Sequence, residues 1–104
     1  MAWLTLILAG LFEVGFTTAM RYTAGFTRLL PTAIFLAFAL ASFYLLTKAS
    51  ETIPLGTAYA VWTGIGAAGT VLIGLMWFGE PASALRLAFL ALLIGAIVGL
   101  KLVD

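Results

Sequence analysis

Four apolar runs, each about 18 to 26 residues long and each closed by a short polar stretch, leave this chain few ways to fold. They fall at about 2–21, 30–47, 53–78 and 84–103. Each is long enough to cross a hydrocarbon core about 30 Å thick with some tilt. Inside lipid every backbone N–H and C=O must be satisfied within the protein. That leaves helices or a closed barrel, and no run alternates with the period of a strand. The expectation is an all-α membrane protein of four transmembrane helices, one domain over 1–104. Composition agrees: 64% of residues are hydrophobic and 9% charged, far too few polar groups to cover a soluble domain. The opening Met-Ala-Trp-Leu has no positive stretch before the first run, so that run is expected to be retained.

Composition also removes whole classes of chemistry. Cysteine and histidine are both absent, so disulfides, thiolate or imidazole metal sites and the commonest general base are excluded. No nucleophile–base set can be assembled, and neither enzymatic activity nor a cofactor or metal is expected. A net charge of +1 offers no patch for nucleic acid.

The punctuation between runs is legible. Gly25 reads as a turn residue between the first two runs, and Gly79-Glu80-Pro81 as a second turn. Pro31 and Pro54 lie in first turns, where a missing N–H is harmless. Ser83 reads as the N-cap of the fourth run. An even number of crossings puts Lys48 and Lys101 at one face and Arg21, Arg28 and Arg86 at the other. Three against two is almost no positive-inside bias. Small-number scatter is one account; the sharper one is insertion in both orientations.

Glu13 is the one ionisable residue deep within a run. On a helix starting at residue 2 it lies about 16 Å along the axis, near mid-membrane. An intramembrane acid costs several kcal/mol and marks a functional site by default. Arg21 is about 12 Å further along the axis, and the other cations sit at run ends, where they reach the headgroups. No cation of the chain is placed to neutralise Glu13. It is therefore protonated, wet, or paired with a cation from outside.

Other residues earn a place around it. Gly10 and Thr17 share its helical face, Gly10 leaving room and Thr17 able either to donate to the carboxyl or to bond its own helix. Tyr59, Trp62 and Gly66 form a stripe on the third run, and aromatic faces attract cations. Ser42, halfway along the second run, serves either helix packing or the site. Trp3 and Trp77 sit at run ends, as interfacial aromatics do. The third run is rich in small residues, Gly64 and Gly66 among them, and Gly95 and Gly99 lie at GxxxG spacing on the fourth. Such stripes let helices approach closely, within one chain or, through the fourth helix, between two.

Ala-Gly-Leu-Phe-Glu13-Val, Gly25-Phe-Thr-Arg-Leu-Leu-Pro31 and Pro54-Leu-Gly-Thr-Ala-Tyr59-Ala-Val-Trp62-Thr-Gly-Ile-Gly66 together resemble the small multidrug resistance transporters. The resemblance covers essentially the whole chain. Trp62-Thr-Gly-Ile-Gly, Gly79-Glu-Pro and Gly99-Leu-Lys101 look most like the guanidinium-exporter subtype. It implies an antiparallel, dual-topology homodimer in the bacterial inner membrane that exchanges protons for a small cationic substrate. On that analogy the Glu13 carboxylates of both subunits bind protons or substrate, never both. Ser42 and Trp62 orient the carboxylates, Tyr59 gates or positions the substrate, and Gly10 shapes the pocket. Gly64 and Gly66 sit where the third helix bends, and Gly95 and Gly99 pack the dimer.

Phe16 departs from the pattern. Guanidinium exporters usually carry Trp there and the quaternary-ammonium branch Gly, so an N–H donor is missing and more hydrophobic cations gain a route. Three other readings stay open: a broader exporter of quaternary ammonium or aromatic cations, one half of a heterodimeric transporter, and a small accessory membrane subunit.

Overall fold

The structure, a computed structural model, describes residues 2–103; Met1 and Asp104, the ends of the expected 1–104 unit, lie outside the described residues. The chain forms four helices: α1 (Ala2–Met20), α2 (Leu29–Ala49), α3 (Leu55–Trp77) and α4 (Ala84–Val103). All four are long and apolar enough to cross a membrane.

Each boundary has a local cause. α1 stops at Met20, one residue before the expected Arg21, where the Thr23 hydroxyl donates to the Met20 carbonyl at 2.8 Å. The chain then turns through three successive left-handed residues, Ala24, Gly25 and Phe26, with φ of 50°, 71° and 67°. The buried Thr23 carbonyl accepts from the N–H groups of Thr27 and Arg28, both at 3.0 Å, and closes this turn. α2 runs to Ala49, two residues beyond the expected end. α3 begins two residues later than the hydropathy of Ile53 suggests. Proline disfavours helical backbone in the residue before it, so Pro54 becomes the extended N-cap and Ile53 is buried in the core instead. At the other end of α3, Gly79 takes φ 65°, and Phe78 and Glu80 both donate their N–H to the Gly74 carbonyl at 3.1 Å. Ser83 caps α4, its hydroxyl accepting from the Arg86 N–H at 3.1 Å.

α1 packs between α2 and α3, while the close backbone approach of α4 is to α3. The core gathers Leu6 and Ala9 of α1, Ala49 at the end of α2, Ile53 before α3, and Ala58, Val61 and Trp62 of α3. The radius of gyration is 14.5 Å, above the roughly 13 Å of a compact domain of this length. Extents of 41 × 35 × 17 Å explain it. Helices pack about 8–10 Å apart, so the thin direction holds at most two. The fold is a slab, and α1 is flanked without being enclosed.

Candidate functional site

The α1–α3 contact is built on glycines, each receiving a side chain from the other helix. A Cβ added at Gly10 would lie 2.6 Å from Ile65 Cγ2. One added at Gly66 would fall on the Glu13 carboxyl, and one at Gly69 on Val14. Glu13 thus lies against bare α3 backbone at buried Gly66. Its Oε1 is buried without a hydrogen-bond partner. Among the described residues the one ion pair joins Arg86 Nη2 to Glu80 Oε1 at 2.7 Å. Among those residues Glu13 has no cation paired with it, in keeping with its depth along α1.

One turn along, Thr17 Oγ1 donates to the Val14 carbonyl at 3.1 Å and lies 2.7 Å from Thr70 Oγ1. A hydroxyl has one proton, so Thr70 is the donor in that second bond. Of the two roles open to Thr17, its own helix and α3 take its bonds, not the carboxyl. Thr70 was missed in the sequence. Its offset of four from Gly66 matches that of Thr17 from Glu13, and that shared offset is the signal that could have found it.

Ser42 and Trp62 meet in the core. Trp62 Nε1 donates to Ser42 Oγ at 2.9 Å, and Ser42 Oγ donates to the Ala9 carbonyl at 2.7 Å. This relay ties α3 to α2 to α1. Within one chain the pair therefore bonds itself and the α1 backbone, and does not reach the Glu13 carboxyl. Ala9 is one turn before Glu13, so the relay grips α1 beside the acid. Tyr59 is 56% exposed, its ring 5.8 Å from that of Trp62.

Phe16 joins a row of rings. It stands edge-on to Phe35 at 5.6 Å and lies 6.0 Å from Phe43, which in turn packs 5.6 Å from Trp62. The room expected at Gly10 is filled by Ile65. Gly64 faces α4, where a Cβ would come within 2.8 Å of Ile97 Cδ1. α3 is helical through both Gly64 and Gly66. A Cβ at Gly95 or Gly99 would meet nothing within 4 Å, so that ridge of α4 is open.

The remaining cations lie at helix ends, as expected. Lys48 sits 5.8 Å from the Tyr44 ring, Lys101 5.5 Å from Trp3, and Arg21 4.5 Å from Phe78. The Arg28 Nη1 donates to the Tyr22 carbonyl at 3.4 Å.

The family model described as Small Multidrug Resistance protein matches residues 1–93. The chain is 49% identical over 102 residues to a guanidinium exporter of Citrobacter freundii, covering 98% of this chain and 97% of that protein. It is 49% identical over 104 residues to a guanidinium exporter of Yersinia pseudotuberculosis, covering all of both. The guanidinium exporter of Escherichia coli K12 is 48% identical over 102 residues, covering 98% of this chain and 97% of its own length.

Proposed function

The chain belongs to the Small Multidrug Resistance family and is a multi-pass protein of the bacterial inner membrane; from that premise we propose that it exports guanidinium or substituted guanidinium ions in exchange for protons. The observation that carries this reading is Glu13. It is an acid at mid-membrane depth, seated on Gly66, with a buried oxygen that nothing among the described residues satisfies. A proton or an incoming cation would satisfy it, and one carboxyl cannot serve both at once. That exclusion is the coupling. A guanidinium suits the task because its planar N–H fork matches a carboxylate, and two carboxylates match both edges.

The second carboxylate comes, in this reading, from a second copy inserted the other way up. The single transmembrane unit is a slab too thin to enclose Glu13, and the open Gly95–Gly99 ridge permits close approach of another helix. Trp62 and Ser42 hold α1 in place through Ala9. Tyr59 offers an exposed ring to the cation, and Gly64 and Gly66 are the points where α3 gives way between states. The guanidinium-exporter relatives support the choice of cation.

A second reading, export of bulkier quaternary ammonium or aromatic cations, is favoured by one observation. The ring row that Phe16 forms with Phe35 and Phe43, about one turn along α1 from Glu13, has no N–H at Phe16. Proteoliposome currents for guanidinium, phenylguanidinium and a tetraalkylammonium separate the two. Guanidinium and phenylguanidinium should give currents that vanish in Glu13→Gln. Proton-coupled transport surviving in that variant sinks the scheme, and equal currents for the tetraalkylammonium establish the broader specificity.

A further inference from the structure

The polar surface of this molecule does not end at Glu13. Gly66, Thr70 and Gly74 recur every four residues along α3, so each lies about 6 Å beyond the last. Gly66 receives the Glu13 carboxyl and Thr70 bonds Thr17. A Cβ at Gly74 would fall on the carboxylate of Glu80, folded back from the α3–α4 turn. Two carboxylates thus rest on glycines of one helix, with a pair of hydroxyls between them. Glu80 is also the one acid among the described residues at the end that carries Arg21, Arg28 and Arg86.

At that end a cavity of about 470 Å³ is lined by Thr17, Thr18, Arg21, Thr70, Phe78 and Glu80. Its walls already hold guanidinium groups. The Arg21 guanidinium lies over the Phe78 ring at 4.5 Å, and the Arg86 guanidinium bonds Glu80 Oε1 at 2.7 Å. A ring face and a carboxylate are the two surfaces a planar cation prefers. The chain itself demonstrates that both accept one here.

The geometry points to this cavity as a second, outer binding site for guanidinium-type cations, between the membrane face and Glu13. The inference rests on the guanidinium reading above. A substrate ion displaces Arg86 from Glu80 and Arg21 from Phe78, then passes the Thr17–Thr70 pair to Glu13. The tethered arginines compete at high effective concentration, so the outer site stays weak and releases its ion inward. With one copy inverted, each membrane face carries one such site.

Two measurements on the full chain test it. In liposomes, Glu80→Gln should raise the guanidinium concentration for half-maximal current roughly threefold, and Arg86→Gln should lower it by a similar factor, the scale of an exposed ion pair. Opposite signs require competition for Glu80. Shifts in the same direction reduce the pair to a structural staple and overturn the proposal. The second measurement removes the inner site. In Glu13→Gln with isotope-labelled glutamate, guanidinium chloride should shift the Glu80 carboxyl resonance saturably, leaving Glu51 unmoved, while tetramethylammonium chloride at equal ionic strength shifts neither resonance. Equal shifts at both residues, or none, overturn it. A saturable shift at Glu80 without wild-type guanidinium current overturns the transport reading and leaves the outer site standing.

Discussion

At Gly66 one added methyl group would occupy the space now held by the Glu13 carboxyl. Gly66→Ala should therefore displace the acid without removing it, and a displacement near 1 Å can cost on the order of a hundredfold in rate. Gly56→Ala is the control, since a Cβ there meets nothing within 4 Å. Transport rates of the two variants at matched thermal stability check the point; wild-type rates in Gly66→Ala refute it. Ser42 shows a different economy. Its hydroxyl has one proton and gives it to Ala9, so it meets Trp62 only as an acceptor. Ser42→Ala leaves a buried indole N–H unpaired and should cost about 1 kcal/mol, the scale of side-chain hydrogen bonds between membrane helices. A thermal shift in detergent reads it, and an unchanged midpoint counts against the relay as a stabilising element. The sequence marked Glu13, Ser42 and Trp62, and the family resemblance had Ser42 and Trp62 orient the carboxylates; within one chain they bond each other and the Ala9 carbonyl instead. Pairing depends on how three helices are rotated about their own axes.

Helix ends were legible where proline and glycine impose them. Pro54 was expected inside the first turn of the third run and instead stands before α3 as its N-cap, while Gly79 lies in the turn expected after the helix. Hydropathy misplaced the boundary at Ile53, because an apolar residue before proline counts as membrane while its backbone is held out of the helix. Gly25 was expected as a turn residue and is one; Ala24 and Phe26 take the left-handed region with it. Gly79 is the more consequential position. With φ at 65°, any side chain there costs about 1–2 kcal/mol. Gly79→Ala should lower the thermal midpoint accordingly. It should also loosen Glu80, whose N–H is held by the Gly74 carbonyl through this turn. An unshifted midpoint contradicts the assignment.

The four helices form a slab that flanks Glu13 without enclosing it, and the proposed partner is a question for the whole molecule. If the partner is an inverted copy, orientation must be poised, and charge should upset it. Thr27→Lys with Ala82→Lys adds two cations to the face holding three arginines, and so biases that face to the cytoplasm. Ser50→Lys with Thr52→Lys and Arg28→Ser biases the opposite way. Each variant expressed alone should lose most of its transport, and coexpression should restore it. Full activity of either variant alone rules out the inverted pair.

The sequence by itself determined that this chain crosses a membrane four times and that Glu13 lies deep in the first crossing. Those properties are local: a run of apolar residues must hydrogen-bond its own backbone in lipid, and depth follows from counting residues. What only the tertiary structure decided is which side chain meets which. Gly66 seats Glu13, Gly74 seats Glu80, Thr17 finds Thr70, and Ser42 stands between Trp62 and Ala9. The helices are apolar on every side, so no polar face tells the inward stripe from the outward one. Close packing of small residues against specific neighbours makes that choice, and it exists only once the helices have met.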